Sequence, residues 1–480
     1  MPSETSVELA SAARVRYERI PLGFLAAVFA ANFLALLNFS MVVVAMMPID
    51  RALGAPLHMT LQLPCALFGA MVCAAPVTPY LLDRWGTRPV LLAAVTGLAV
   101  SSALAGLSSN IWQLSTVLFL SGLASAPIMA ATQAEVDRHV QGADRGIGMA
   151  VWGAGIYASG LLGPLMAGYL LDDYGWRTIF LVPLPVTLLT ALLIARFLGP
   201  SQAKPVPGDL ATLVLAPLTI MFLIGTCSLG RSLGWSQSYV PYLMLTGLLI
   251  VAPLYAIQYR RTEAPALDLG CLRDRSVALA LLLIFFANLV GTGLFQVEFL
   301  GRYSHLSDHV LGLRTTIGTV GLLAGMAIAA YLCLAGRAGL ALLAAIAFSV
   351  ISKIGFLFYD GHTGAIAAIW PVLIGGVGFG LITASLATLA YQTVSPRRAA
   401  DVATLFVLLT FLGACLGTGV LDEVILGFAT LDASEGMSYA AAKQAAFKAE
   451  FWVELGATLL LLIPAVSLAN RARKQTALGI

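Results

Sequence analysis

Apolar runs of about 20 residues, the length a helix needs to cross the hydrocarbon core of a bilayer, recur from one end of this chain to the other. Fourteen can be placed. Six lie near Leu22–Met47, Met59–Leu82, Pro89–Leu107, Ile111–Ala131, Ile147–Leu171 and Thr178–Leu198, and two near Leu210–Leu229 and Tyr239–Tyr259. Six more follow near Ser276–Tyr303, Thr316–Leu334, Leu340–Tyr359, Ala365–Leu389, Val402–Leu421 and Phe451–Ala469. Lipid offers no hydrogen bonds, so each run must satisfy its own backbone and becomes a helix. The charge content agrees. Only 11% of the 480 residues are charged, against about 25% in a soluble domain. Mean hydropathy is +0.90. A net charge of +3 gives no reason to expect a nucleic-acid partner. The six cysteines show neither metal-ligand spacing nor a secreted disulfide pattern. The first run is too long for a signal-peptide core and reads as a retained span.

Loop charges orient the spans. With the N-terminus inside, the inner segments hold 19 Lys and Arg and the outer segments 7, with Lys353 inside a span. An even number of spans then puts both termini in the cytoplasm. The spacing divides the chain six, two, six: an N-terminal six-helix bundle over residues 1–199, a linker with two extra spans over 200–262, and a C-terminal six-helix bundle over 263–480. A proline-bearing polar stretch, Gly199 to Gly208, and a charged loop, Arg260 to Arg275, mark the divisions. A faint echo links the halves. Arg84 and Gly86 after the second span match Arg337 and Gly339 after the tenth in spacing, as in transporters built from related halves.

The loop PYLLDRWGTRP, from Pro79, resembles the signature loop between the second and third spans of the major facilitator superfamily. It keeps Asp83, Arg84, Gly86 and Arg88, with Pro79 in place of the usual first Gly. One acid and two bases on a short loop can bridge helix ends in one conformer and release them in another, so these four residues are a candidate conformational latch. A tight turn at Gly86 in a positive-inside loop is the plainer reading. The fifth span, WGAGIYASGLLGPLMAGYLLDDYGWRTIF from Trp152, resembles the antiporter motif of drug:proton antiporters. Gly155, Gly163, Pro164 and Gly168 match, and Ala167 replaces a second Gly. Glycines let helices approach closely, and Pro164 frees a carbonyl and bends the helix. SLGRSLGWSQS from Ser228, RRTEAPALDLGCLRDRSV from Arg260 and the long stretch from Trp370 to Gly417 resemble the fourteen-span branch, drug:proton antiporter family 2. The resemblance implies an all-α membrane protein with the major facilitator fold: two six-helix bundles plus two extra transmembrane helices.

The chain departs from that family at three embedded positions. Asn38 stands where the first span usually carries Asp, Leu118 where the fourth usually carries Arg, and Thr410 where the thirteenth often carries Arg. Asn38 cannot titrate, so proton coupling needs another group. Ionisable residues inside a membrane are functional candidates by default. Glu298 and Arg302, one turn apart on the ninth span, are the candidate coupling pair, with an interfacial ion pair as the plainer alternative. Lys353 is expected to snorkel to the interface. Candidate cavity residues are Asn38, Ser40, Gln62, Tyr157 and Asn288, each equally able to satisfy a neighbouring helix. Trp112, Trp176, Trp235, Trp370 and Trp452 sit near span ends, as in an interfacial belt.

The function these features imply is secondary active transport: proton-coupled export of small apolar or amphipathic compounds by alternating access. A carrier for a defined metabolite or siderophore, or a facilitator without proton coupling, remains open, because fold does not fix substrate. No nucleophile elbow, zinc-ligand motif or catalytic carboxylate pair points to an enzyme, and no cofactor or metal is expected. The partners are the bilayer, a small-molecule substrate and protons. The segment Asp432 to Glu450 is a candidate contact for a periplasmic adaptor if the host has an outer membrane, in which case the protein lies in the inner one. A reporter fused after Ile480 or placed at Lys204 should read cytoplasmic, and one at Ser434 external. A cytoplasmic Ser434 would overturn the count of fourteen.

Overall fold

A computed structural model describes residues 21–55, 57–60, 62–139, 144–199, 209–233, 238–262, 269–291, 306–359, 364–391, 399–417 and 439–477. Among these the regular structure is helical, with no strand. The main helices of the first half are α1 (Leu22–Leu53), α2 (Gln62–Ala74), α3 (Thr78–Trp85), α4 (Thr87–Gly106), α5 (Ile111–His139), α6 (Asp144–Tyr174) and α7 (Leu184–Phe197). The extra pair is α8 (Leu210–Ser232) and α9 (Val240–Arg261). The second half holds α10 (Arg275–Gly291), α11 (Asp308–Leu334), α12 (Ala338–Phe356), α13 (Ala365–Tyr391), α14 (Ala399–Leu416), α15 (Tyr439–Leu460) and α16 (Leu462–Ala477).

Among the described residues eleven helical stretches are long and apolar enough to span a membrane, and α2 with α3 makes a twelfth if that pair, bent by 53°, is one span. Pro76 sits in the break and cannot donate to the helical ladder. The other two expected spans appear as the shorter apolar helices Arg275–Gly291 and Val402–Leu416. Their expected continuations fall at 292–303 and 418–421, outside the described residues. The first helix runs further than its apolar pattern suggests. It passes Pro48 and stops at Gly54, whose φ of 59° ends it in the left-handed region. Gly86 makes the expected turn, with φ 83°. In the echo loop the left-handed residue is Gly336 (φ 70°), whereas Gly339 lies inside α12 against Ala469. The two loops therefore turn at different glycines.

Within the first half α1 packs along α6 and α5 on α2 and α4; within the second, α13 packs between α11 and α12. The halves meet where α6 lies on α11 and α2 on α14. Helix α8 touches both α2 and α14, so the extra pair flanks this seam, while α9 packs mainly on α8. The two extra helices are tied at one end by Asp209. It accepts from Ala211 N (3.1 Å) at the start of α8, and from Thr262 Oγ1 (2.6 Å) and Gln258 Nε2 (3.0 Å) at the end of α9. These hydrogen bonds, that from Thr262 foremost, hold its carboxyl below the usual range. Of the belt tryptophans, Trp112, Trp370 and Trp452 are exposed, but Trp176 is buried edge-on against Phe180 beneath the Arg177 guanidinium.

Glycine decides how closely α1 and α6 approach. A Cβ on Gly155 would lie 2.5 Å from the Phe29 carbonyl oxygen, and one on Gly163 would strike Ser40. Gly163→Leu should therefore separate the helices and abolish transport, with less folded protein by size exclusion. Normal transport in that variant would exclude tight packing there.

Candidate functional site

The latch loop lies at one end of the molecule, between α3 and α4. Asp83 and Arg84 are exposed. The Arg84 guanidinium reaches back to the Tyr80 hydroxyl (2.5 Å), and Arg88 donates to the Ala195 carbonyl at the end of α7. Thr87 donates to Glu135, which also pairs with Arg138 (3.4 Å) on the same helix. Glu135 is buried, a brace beneath the loop that its sequence neighbours did not single out. The described polar contacts of Arg84 and Arg88 stay within the first half.

At the opposite end the halves are in direct contact. Thr319 Oγ1 donates to the Gly160 carbonyl (2.9 Å) and Thr316 Oγ1 to the Leu161 carbonyl (3.0 Å). Further along, Gly312 sits over the Pro164 carbonyl, and a Cβ on Gly168 would lie 2.9 Å from His309 Cα. Pro164 has no N–H to give the Gly160 carbonyl, and that freed carbonyl is the one that accepts from Thr319 of the second half. Tyr169 lies 4.4 Å from the His309 ring. The motif glycines therefore divide their work: Gly155 and Gly163 face α1, and Gly168 faces α11 across the seam. On the other flank Cys65 and Cys415 bring their sulfurs to 2.9 Å as free thiols, and Phe68 packs on Phe411 at 5.3 Å.

A cavity of about 350 Å³ opens among α10, α11, α12, α13 and α15, with Val43 of α1 in its wall. Its polar lining includes Arg314, Thr315, Thr319, Ser349, Ser352 and Lys353. Lys353 does not snorkel. It is 7% exposed, pairs with Glu454 of α15, and donates to the Val290 carbonyl (3.2 Å). Its ammonium lies 5.7 Å from the Phe451 ring centroid and 5.9 Å from that of Phe356. Those rings join Tyr359 and Phe447 in an aromatic cluster that holds α12 against α15. Arg314, 3% exposed, is hydrogen-bonded to the Tyr359 hydroxyl. Glu454 lies 101 residues from Lys353. Neither apolar periodicity nor local spacing could have joined them.

Asn38 donates to Ser121 Oγ (3.2 Å), which ties α1 to α5 three residues from Leu118. A neutral contact thus occupies the region where the family places charge. Ser40 bonds its own helix at the Leu37 carbonyl (2.9 Å), and Asn288 does likewise at Ile284 (2.8 Å). Tyr157 is half-buried on α6. Gln62 donates to the Ser228 carbonyl (3.1 Å) and lines a smaller cavity of about 220 Å³ between α2 and the extra pair. None of these five lines the larger cavity among the described residues. Glu298 and Arg302 lie outside the described residues.

Helices that meet through glycine at one end of a seam, beside a polar-lined cavity, are the build of a polytopic membrane carrier and not of an enzyme. A model of the Major Facilitator Superfamily matches residues 28–418, and the chain belongs to that superfamily. It is 27% identical over 366 residues to a "Multidrug resistance protein B homolog" of Mycobacterium tuberculosis (strain ATCC 25618 / H37Rv), covering 74% of this chain and 67% of that protein. It is 27% identical over 266 residues to "Probable multidrug resistance protein EmrY" of Escherichia coli (strain K12), covering 55% of this chain and 52% of that one. Its fold is similar to a crystal structure of the peptide transporter POT in complex with sulfate, with TM-score 0.69 and 16% identity over 96% of this chain and 98% of that one.

A buried ion pair broken on one side leaves an uncompensated charge, which costs roughly 3–5 kcal/mol, whereas replacing both partners by apolar groups is often neutral. Lys353→Met should accordingly lower the unfolding temperature sharply, and Lys353→Met with Glu454→Met should recover most of the loss. Equal loss in single and double variants would mean the pair is not a unit.

Proposed function

We propose that this protein is a secondary active exporter of small apolar or amphipathic compounds that works by alternating access, driven by protons. The observation that carries the reading is the asymmetry of the seam: the halves touch through Gly168, Gly312 and the Cys65–Cys415 contact at one end, while Asp83 and Arg84 at the other are exposed. A carrier caught closed on one side and open on the other has that form. The multidrug-resistance names of the relatives support export over uptake. In this reading residues 1–199 and 263–480 are the moving bundles, with 200–262 beside the seam. Both termini are cytoplasmic, and the protein sits in the inner membrane if the host has two. An adaptor at the outer segment from Asp432 would complete a path across a second membrane.

Asp83, Arg84, Gly86 and Arg88 form the latch that engages when the cytoplasmic side closes. Coupling needs a carboxyl other than the missing first-span Asp. Glu298 beside Arg302 is one candidate, and Glu454 on Lys353 is a second that the buried geometry supports. In energised everted vesicles a transported compound should release protons. Glu298→Gln, or Glu454→Gln with Lys353→Met so that no charge is left unpaired, should stop accumulation of an uncharged compound yet keep its binding and passive exchange, and whichever still pumps is not the coupling group. If both pump, or no compound releases protons, coupling by these acids is wrong and facilitated diffusion replaces it.

Two further outcomes test the cycle. Asp83→Asn should abolish transport at normal membrane levels, because only a contact of the other conformer is lost. Full activity would leave the loop an orienting role. The Cys65 and Cys415 sulfurs need to close from 2.9 Å to a bond of about 2.05 Å. A mild oxidant should therefore cross-link them and stop transport, and reductant should restore it, with Cys415→Ser insensitive. A cross-linked protein that transports at full rate would mean the seam does not open.

A further inference from the structure

We infer that the cavity beside α12 binds an amphipathic anion, with Lys353 and Arg314 holding its anionic head. This deepens the export reading and rests on it for its setting. The cavity's volume, about 350 Å³, falls in the range of small-molecule sites, about 300–1,000 Å³. Its charged lining is of one sign. Arg314 and Lys353 reach its wall, and no acid does among the described residues. Two buried acids, Glu450 and Glu454, belong to α15, but neither lines the cavity. Glu454 meets Lys353 from the packed side, and Thr458, one turn further along α15, does line it. The wall thus includes Lys353 and Arg314 and, among the described residues, neither Glu450 nor Glu454.

The rest of the wall fits the remainder of such a molecule. Val290, Phe379 and Ile382 offer an apolar surface for its body, and Ser349 a hydroxyl near its head. The guanidinium is suited to carboxylate or sulfonate in a forked geometry, and in a low-dielectric site such charge-assisted bonds are strong. A ligand cation would meet the Arg314 guanidinium there and gain no acidic partner at the wall among the described residues. The Lys353–Glu454 pair holds the ammonium in place while the cavity is empty. An incoming anion shares or takes over that ammonium. A buried pair alone adds little to stability over an apolar substitute, so its placement in the wall of a cavity points to a ligand.

The test is equilibrium binding to the full chain in lipid nanodiscs, which needs no transport. The probes are 1-naphthaleneacetate and 1-naphthylmethylammonium, which share an aromatic body and differ in charge. The anion should bind and the cation should bind at least about tenfold more weakly, the scale of one charge-assisted hydrogen bond. Lys353→Met with Glu454→Met, which leaves no unpaired charge, should weaken the anion about tenfold and leave the cation unchanged. Arg314→Met should weaken the anion without helping the cation. Equal or tighter binding of the cation, binding of neither probe, or full anion affinity in the folded double variant would overturn the assignment. Anion binding without transport would sink the export reading and leave the site standing. Drug export with a cation-preferring cavity would do the reverse.

Discussion

Backbone-to-backbone approach along α6 governs how this molecule is assembled. In lipid there is little hydrophobic drive to bring helices together, so contact area and small residues set the geometry. On α6 the small positions face two partners in turn. Gly155 and Gly163 admit the backbone and Ser40 of α1, and Gly168 admits the start of α11. Pro164 leaves the Gly160 carbonyl without its intrahelical donor, and Thr319 bonds it, while Gly312 rests on the Pro164 carbonyl. The helix that anchors the first half is thus also the surface on which the second half seats. The threonine bonds to Gly160 and Leu161 are few and lie along one stretch of the seam, a contact that rigid bundles can make and release.

The polar groups inside the bundles follow a different rule. A lone charge in hydrocarbon is expensive, so embedded ions pair or change their surroundings. The first half meets this constraint with neutral groups: Asn38 on Ser121 and Asn32 on Thr132. Its described buried acids, Asp50 and Glu135, lie toward helix ends, and Glu135 pairs with Arg138. The second half retains ions in its interior and surrounds them with aromatic rings and hydroxyls. Lys353 lies near Phe356 and Phe451 and bonds Glu454, while Arg314 bonds Tyr359. The two halves are therefore chemically unequal although similar in build. Lys353 of the ion pair and the buried Arg314, which both line the larger cavity, belong to the second.

The extra pair of helices affects the seam without joining either half. Helix α8 contacts α2 and α14, and its Ser228 carbonyl receives Gln62. The Cys65–Cys415 contact lies on the same flank. Helix α8 thus borders both halves on this flank of the seam.

The sequence by itself determined the class of fold. Long apolar runs admit only helices in lipid, and the small residues from Gly155 to Gly168 marked the helix on which others close. Gly86 was readable as a turn, because φ 83° is a conformation that glycine reaches without strain. Local pattern also misled at Lys353, whose place near a span end suggested the interface. Tertiary structure decided its fate, since Glu454, Phe447 and Phe451 come from a helix about a hundred residues away. It likewise decided that Asn38, Ser40 and Asn288 satisfy helices and do not line the larger cavity, and that Cys65 meets Cys415. Apolar periodicity reports which face of a helix turns inward, but every inward face in a bundle looks alike. Which charge or thiol it meets depends on how the helices are arranged around one another, and that arrangement exists only once they pack.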